Sequence, residues 1–202
     1  MSRRLARSFF DRPALVVARA LLGQRLVHVR NGRRLAGLIT ETEAYLGEAD
    51  LASHARPGRT SRNAVMYGPP GFAYVYFTYG MHWCLNIVTE GEGTPTAVLL
   101  RAIAPVEGAA TMRRLRSNSN RRGGPPPEKH LTDGPAKLTQ ALGIDGRFNG
   151  RDLCAPEARL FVERAGLPRG ARVTAGPRVG LNRTPEPWRS QRWNFRLLAD
   201  GR

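Results

Sequence analysis

The chain has 202 residues, with 32 Lys plus Arg against 16 Asp plus Glu, a formal net charge of +16. This length suits one domain with a real core, and 41% hydrophobic residues exclude a disordered basic tail. No run of about 18 apolar residues occurs, so no membrane-spanning helix is expected. The charge excess calls for a polyanionic partner, most often nucleic acid. Only Lys129 and Lys137 are lysines, and the rest of the positive charge is Arg. Codon bias accounts for much of that choice, yet Arg forks also fit phosphates and guanine edges better than ammonium groups do.

The basic start, with Asp11 directly after Phe9-Phe10, offers no signal-peptide core. Cys84 and Cys154 are too few for a disulfide framework or an iron–sulfur cluster, so a reduced, cytoplasmic protein is expected. Asp11-Arg12-Pro13-Ala14 reads as a helix start, with Asp11 as N-cap and Leu15, Val16, Ala18, Leu21 and Leu22 as its apolar stripe. Gly23 ends it. Gln24 to Arg30 and Arg33 to Tyr45 read as strands around the two-residue turn Asn31-Gly32. A polar stretch from Leu46 to Met66 leads to the rigid turn Tyr67-Gly68-Pro69-Pro70-Gly71.

Three strands are then expected, Phe72 to Thr78, Trp83 to Thr89 and Thr96 to Ala104, and their short links favour antiparallel pairing. Pro105 to Arg116 reads as a helix and Ser117 to His130 as a mobile basic loop. Asp133-Gly134-Pro135 should cap a helix to Leu142, and late strands fall near Leu160 to Arg164, Arg172 to Leu181 and Trp193 to Leu198. With no repeat and no linker, residues 1–202 form one expected domain. Its class is α+β: a compact mixed domain with a curved antiparallel sheet, flanking helices and a protruding hairpin.

Glu41, Glu43 and Tyr45 share one face by strand period. An acidic group at an apolar strand of so basic a protein fits a general base for water, or a solvated strand end that pairs with Arg. Tyr74 to Asn86 is dense in aromatics. Tyr79 and Met81 sit at its turn, where a large side chain is exposed and suits insertion into a base stack. Asn86 and Arg101 are polar residues within apolar strands, which marks internal networks or sites. His28, His54, His82 and His130 show no metal-ligand spacing, and no phosphate loop, dinucleotide fingerprint or nucleophile elbow occurs, so neither metal nor cofactor is expected.

The ordered string Glu41-Thr42-Glu43-Ala44-Tyr45, His54, Arg59 to Asn63, Gly68 to Gly71, Tyr74 to Asn86, Leu99 to Ala102, Gly134 to Leu138 and Arg178-Val179-Gly180 resembles the alkyladenine (3-methyladenine) DNA glycosylase family. The match spans almost the whole chain. The resemblance implies a monofunctional hydrolase of base excision repair that flips damaged purines from duplex DNA and leaves an abasic site. Alkylated purines are the core substrates, with deaminated and etheno purines as further candidates. It implies a water activated by Glu43 and positioned by Arg101 and the backbone carbonyl of Val179. Tyr45, His54 and Tyr76 would line the base pocket, Asn86 would crowd the amine of normal guanine, and Tyr79, with Met81 beside it, would fill the gap in the duplex.

Arg59, Arg62 and Lys137 match phosphate-facing positions, although Arg59 and Arg62 have a plain alternative as partners of Glu48 and Asp50. The two lysines lie in the basic loop and at a helix start, which argues against a Schiff-base lyase. The expected protein is a monomer acting on double-stranded DNA in the nucleoid. Two other readings remain open: a non-catalytic nucleic-acid-binding module of the same fold and, from charge alone, an RNA-modifying or ribosome-associated protein.

Overall fold

The computed structural model describes residues 4–119 and 126–198. The chain opens with α1 (Arg7–Phe10) and α2 (Ala14–Leu21). Asp11 does not cap α2; it follows α1, and Pro13 occupies the N-cap position without a side-chain bond. The anion at this helix start is Glu90, whose Oε1 accepts from the Ala14 N–H at 3.1 Å. Nor is Val16 part of the apolar stripe: Ala14, Val17, Ala18 and Leu21 are buried at helical spacing, and Val16 is 46% exposed.

β1 (Arg25–Arg30) and β2 (Arg33–Leu46) form the expected hairpin, with Asn31 and Gly32 at φ 49° and 71°. Both values belong to a type I′ turn, whose twist matches that of the flanking strands. β3 (Ala73–Thr78), β4 (His82–Thr89) and β5 (Thr96–Glu107) make the next antiparallel run. α3 (Ala109–Ser119) and α4 (Pro135–Leu142) follow, then β6 (Leu160–Glu163), β7 (Arg172–Gly176) and β8 (Asn194–Leu198). The sheet order is β3-β4-β5-β2-β1-β6, with β8 joined to both β2 and β7. The result is the expected α+β fold, a curved antiparallel sheet with flanking helices.

Three expected boundaries move. Pro105 is not a helix start but a residue of β5 paired with Gly37, beside a register shift where a missing N–H is tolerated. Glu107 extends that strand and accepts from Arg34 Nε at 2.9 Å, which anchors the extension. Residues Ser117 to Ser119 of the expected mobile loop belong to α3, and Glu128–His130 is a short 3-10 turn; 120–125 lie outside the described residues. β7 stops at Gly176 instead of running to Leu181, because Pro177 has no N–H for the ladder. Asp133 does not cap α4 with its side chain; it accepts from Lys137 Nζ at 2.8 Å and meets His130 Nδ1 at 2.7 Å.

The long strand β2 is the backbone of the site. β5 runs along one edge, while the other edge is shared by β1 and, at Glu41 to Glu43, by β8. Its inner face packs on α2, where the Thr42 hydroxyl donates to the Ala18 carbonyl at 2.8 Å. A main core of Phe10, Leu21, Leu26, Ile39, Leu85, Ile87 and Leu100 holds this arrangement. Each such side chain contributes about 1.5–3 kcal/mol by leaving water. A smaller cluster of Ala55, Met66, Tyr74, Val88 and Ala97 underlies the opposite face.

Candidate active site

Strand alternation places Glu41, Glu43 and Tyr45 on the face away from α2. The β2–β5 register shifts at Glu41 and Thr42, and Arg101 falls between the paired residues Ala102 and Leu100. This irregularity brings the Arg101 guanidinium over both acids. Its Nε donates to Glu41 Oε1 at 3.0 Å and its Nη1 to Glu43 Oε2 at 3.3 Å.

Glu43 is fully buried, and four donors converge on its carboxylate. Oε1 accepts from the Val179 N–H at 2.7 Å and from Asn194 Nδ2 at 3.0 Å. Oε2 accepts from the Tyr45 hydroxyl at 3.1 Å and from Arg101. Asn194 Nδ2 also donates to Glu41 Oε1 at 2.7 Å, and Arg196 Nη2 reaches the same oxygen at 3.1 Å. A buried carboxylate requires such donors, since unpaired burial of charge is costly. Burial and the neighbouring Glu43 push the Tyr45 phenol well above its ordinary range, so it serves as a donor. Burial opposes the charge on Arg101, but Glu43 and Glu41 outweigh it and raise its pKa.

Beside this cluster lies a cavity of about 250 Å³. Tyr45, His54, Tyr76, Asn86, Arg101 and Val179 line it, and Tyr79 stands at its rim. The His54 and Tyr76 rings meet at 4.3 Å between centroids, edge to face, and Tyr74 lies 5.4 Å from Tyr76. Tyr74 is buried and anchors His54 through a 2.9 Å contact between its hydroxyl and His54 Nδ1. Burial, and then Arg62, lower the His54 pKa, which keeps the ring neutral at pH 7. Burial likewise raises the Cys84 thiol. Asn86 is 4% exposed and donates from Nδ2 to the Tyr74 carbonyl at 3.2 Å.

The β3–β4 turn carries Tyr79 at φ 51° and Gly80 at φ 65°, and Tyr79 is 85% exposed. A bulky aromatic held in water, in a left-handed conformation, lacks any folding rationale. Met81, 65% exposed, stands beside it but does not line the cavity. Arg59 and Arg62 lie outside the cavity as well, over the rings of Tyr67 and Tyr76 at 5.7 and 5.9 Å. Their alternative partners are occupied: Glu48 accepts from the Tyr67 hydroxyl at 2.6 Å, and Asp50 is bound by Arg178. Lys137 is held by Asp133, although Pro135 of the same helix start borders the cavity.

The structure thus gathers Glu43, Arg101, Val179, Tyr45, His54, Tyr76 and Asn86 into one site, with Tyr79 at its mouth. Val179 meets Glu43 through its amide N–H. Sequence reasoning gave no site role to Asn194, Arg178 or Asp50. Asn194 carried the same signal as Asn86 and Arg101, a polar residue in an apolar strand. A larger cavity, about 650 Å³ and bordered by His28, Phe72 and Arg159, contains none of the Glu43 cluster. Among the described residues no group of three His, Cys, Asp or Glu is placed to hold a metal, and no helix is long and apolar enough to cross a membrane.

A curved sheet that sets an acid–arginine cluster against an aromatic cavity defines an enzyme-type pocket for a planar ring. A family model described as methylpurine-DNA glycosylase (MPG) matches residues 8–200. A protein of Methanocella arvoryzae is 47% identical over 191 residues, covering 92% of this chain and 90% of its own length. One from Myxococcus xanthus is 48% identical over 179 residues, covering 88% and 82%. Both bear the name "Putative 3-methyladenine DNA glycosylase". The chain belongs to the methylpurine-DNA glycosylase family, and with it to the hydrolases that cleave N-glycosyl bonds in DNA repair.

Proposed function

We propose that this protein flips a damaged purine out of duplex DNA into the cavity and hydrolyses its N-glycosidic bond with a water activated by Glu43. The observation that carries the reading is the fully buried Glu43 carboxylate, bonded to Tyr45, Arg101 and Val179, three residues that line an aromatic cavity. A departing purine leaves an oxocarbenium-like sugar. A carboxylate there both takes the water's proton and offsets the developing positive charge. Tyr45, Tyr76 and His54 present faces and edges to an extruded base, and aromatic faces attract cationic alkylated purines. With His54 neutral, the pocket is suited to bases that leave without protonation, the N-alkylated purines. Asn86 sits where it would meet the exocyclic amine of an unmodified guanine and reject it.

Tyr79 fills the space left in the stack, and Arg59, Arg62 and Lys137 hold phosphates without reading sequence. Hydrolysis is monofunctional, since neither lysine borders the cavity. The protein acts as one domain and as a monomer, in the nucleoid. The test is incubation of the purified protein with duplexes carrying 3-methyladenine, 7-methylguanine, hypoxanthine or ethenoadenine. Free base and an intact abasic strand are expected with the alkylated purines. Absence of base release from all four duplexes overturns the reading.

A further inference from the structure

Arg178 and Asp50 form an ion pair whose side chains are wholly buried, and neither lines the cavity. Arg178 donates to both Asp50 oxygens, from Nη2 to Oδ1 at 2.8 Å, and from Nη1 to the Ala44 carbonyl at 3.1 Å. Asp50 accepts in addition from the Leu46 and Ala52 amides at 3.2 and 3.0 Å. A buried ion pair adds less stability than apolar residues of the same volume, so stability alone does not explain it.

Its neighbours suggest another role. Residues 177–193 belong to no strand: Pro177 ends the pairing and Gly180 turns at φ 83°. The Arg178 side chain therefore clamps the segment whose next amide, Val179 N–H, meets Glu43 Oε1. The same guanidinium lies 4.6 Å from the centroid of the Tyr45 ring, whose hydroxyl meets Glu43 Oε2. Trp193 closes the other contact at 4.8 Å.

We infer that the Asp50–Arg178 pair positions Tyr45 and Val179, and through them both oxygens of the catalytic carboxylate, for hydrolysis. The pair is buried and does not line the cavity, so it acts on the chemical step rather than on DNA affinity. This role rests on the reading of Glu43 as the base. A misplacement of about 1 Å at such a site slows the reaction by about 100-fold.

The experiment measures single-turnover release of 3-methyladenine from methylated duplex DNA, together with affinity for a duplex holding a tetrahydrofuran abasic analogue. Arg178→Met should lose about 100-fold in rate with affinity unchanged. Arg178→Lys keeps a charge opposite Asp50 without the fork and should recover part of the rate. Asp50→Asn, close to isosteric, should fall in rate likewise and serves if the Met variant does not fold. An equal loss of rate and affinity, with no recovery by Lys, marks a merely structural pair and overturns the inference. Wild-type hydrolysis by Arg178→Met beside an inactive Glu43→Gln overturns the positioning role alone. Wild-type hydrolysis by Glu43→Gln overturns the reading of Glu43 itself.

Discussion

The amide N–H of Val179 donates to Oε1 of Glu43 at 2.7 Å across a sequence separation of 136. A loop near the chain's end thereby completes a carboxylate site begun on its second strand. Such a contact is sensitive to small shifts, since the amide is fixed by the backbone and cannot follow the acid. The hydrolytic reading of Glu43 can be tested first at the acid itself.

Glu43→Gln keeps the shape of the side chain but removes the charge that takes a proton from water. Single-turnover base release should fall by at least about 100-fold. Affinity for an abasic-analogue duplex should persist, because the side chain is fully buried and out of reach of a phosphate. Normal cleavage by the variant would show that another group acts as the base.

Tyr79→Ala should leave folding stability within about 0.5 kcal/mol of the parent, as the side chain is 85% exposed. Its effect should appear on duplex substrates as weaker retention of the flipped base, and it should be smaller on single strands. Ethenoadenine fluorescence in duplex DNA reports the flipped population. An unchanged signal would remove the wedge role.

Asn194→Ala takes one donor from Glu41 and Glu43 together, in a site where Asn194 is 2% exposed. Leaving buried acceptors short of a partner costs about 1–3 kcal/mol. Urea denaturation should register that loss, and base release should slow in parallel. Stability equal to the parent's would mean that Arg101 and Arg196 suffice to hold the two acids.

Stability should also fall on mild acidification. Burial, the leading cause at both sites, lowers the pKa of His28 and of His54 from 6.5. The unfolded chain then takes up protons near pH 6.5 that the folded protein refuses until lower pH. Stability is therefore present above that point and declines as pH drops through it. The lowered carboxylates Asp133 and Asp145 add losses of the same sign only in more acidic solution, below their ordinary 3.8. Denaturation at pH 7.5 and 5.5 should show the decline, and His28→Gln should flatten it. A pH-independent stability over that interval contradicts the assignment.

DNA binding should weaken linearly in log affinity with log salt, in proportion to the phosphates contacted. Replacing Arg62 or Lys137 by Ala should reduce that slope by about 1 each without changing which lesion is preferred. A change in lesion preference would move these residues from the phosphate surface to the pocket.

Local signals in the chain already contained much of this protein. Asn31-Gly32 dictated its hairpin because both positions need positive φ. Period-two spacing put Glu41, Glu43 and Tyr45 on one face, and the ordered motifs implied the family. Sequence also located the exposed turn of Tyr79, since a tight turn cannot bury a ring. Propensity failed where partners distant in sequence prevailed. Pro105 stayed in a strand because Gly37 and Arg34 hold that extension, and Asp11 lost its capping role to Glu90.

Only the tertiary structure decided which groups surround Glu43. Val179, Asn194 and Arg101 come from a loop and two other strands, and no spacing rule connects them. The register shift that aims Arg101 at the acids arises from the pairing of β2 with β5, which no local stretch specifies. Asp50 and Arg178, read as a loop charge and part of a motif, became a buried pair because folding removed both from water. Their energies then depended on each other, and that dependence exists only once the chain has closed.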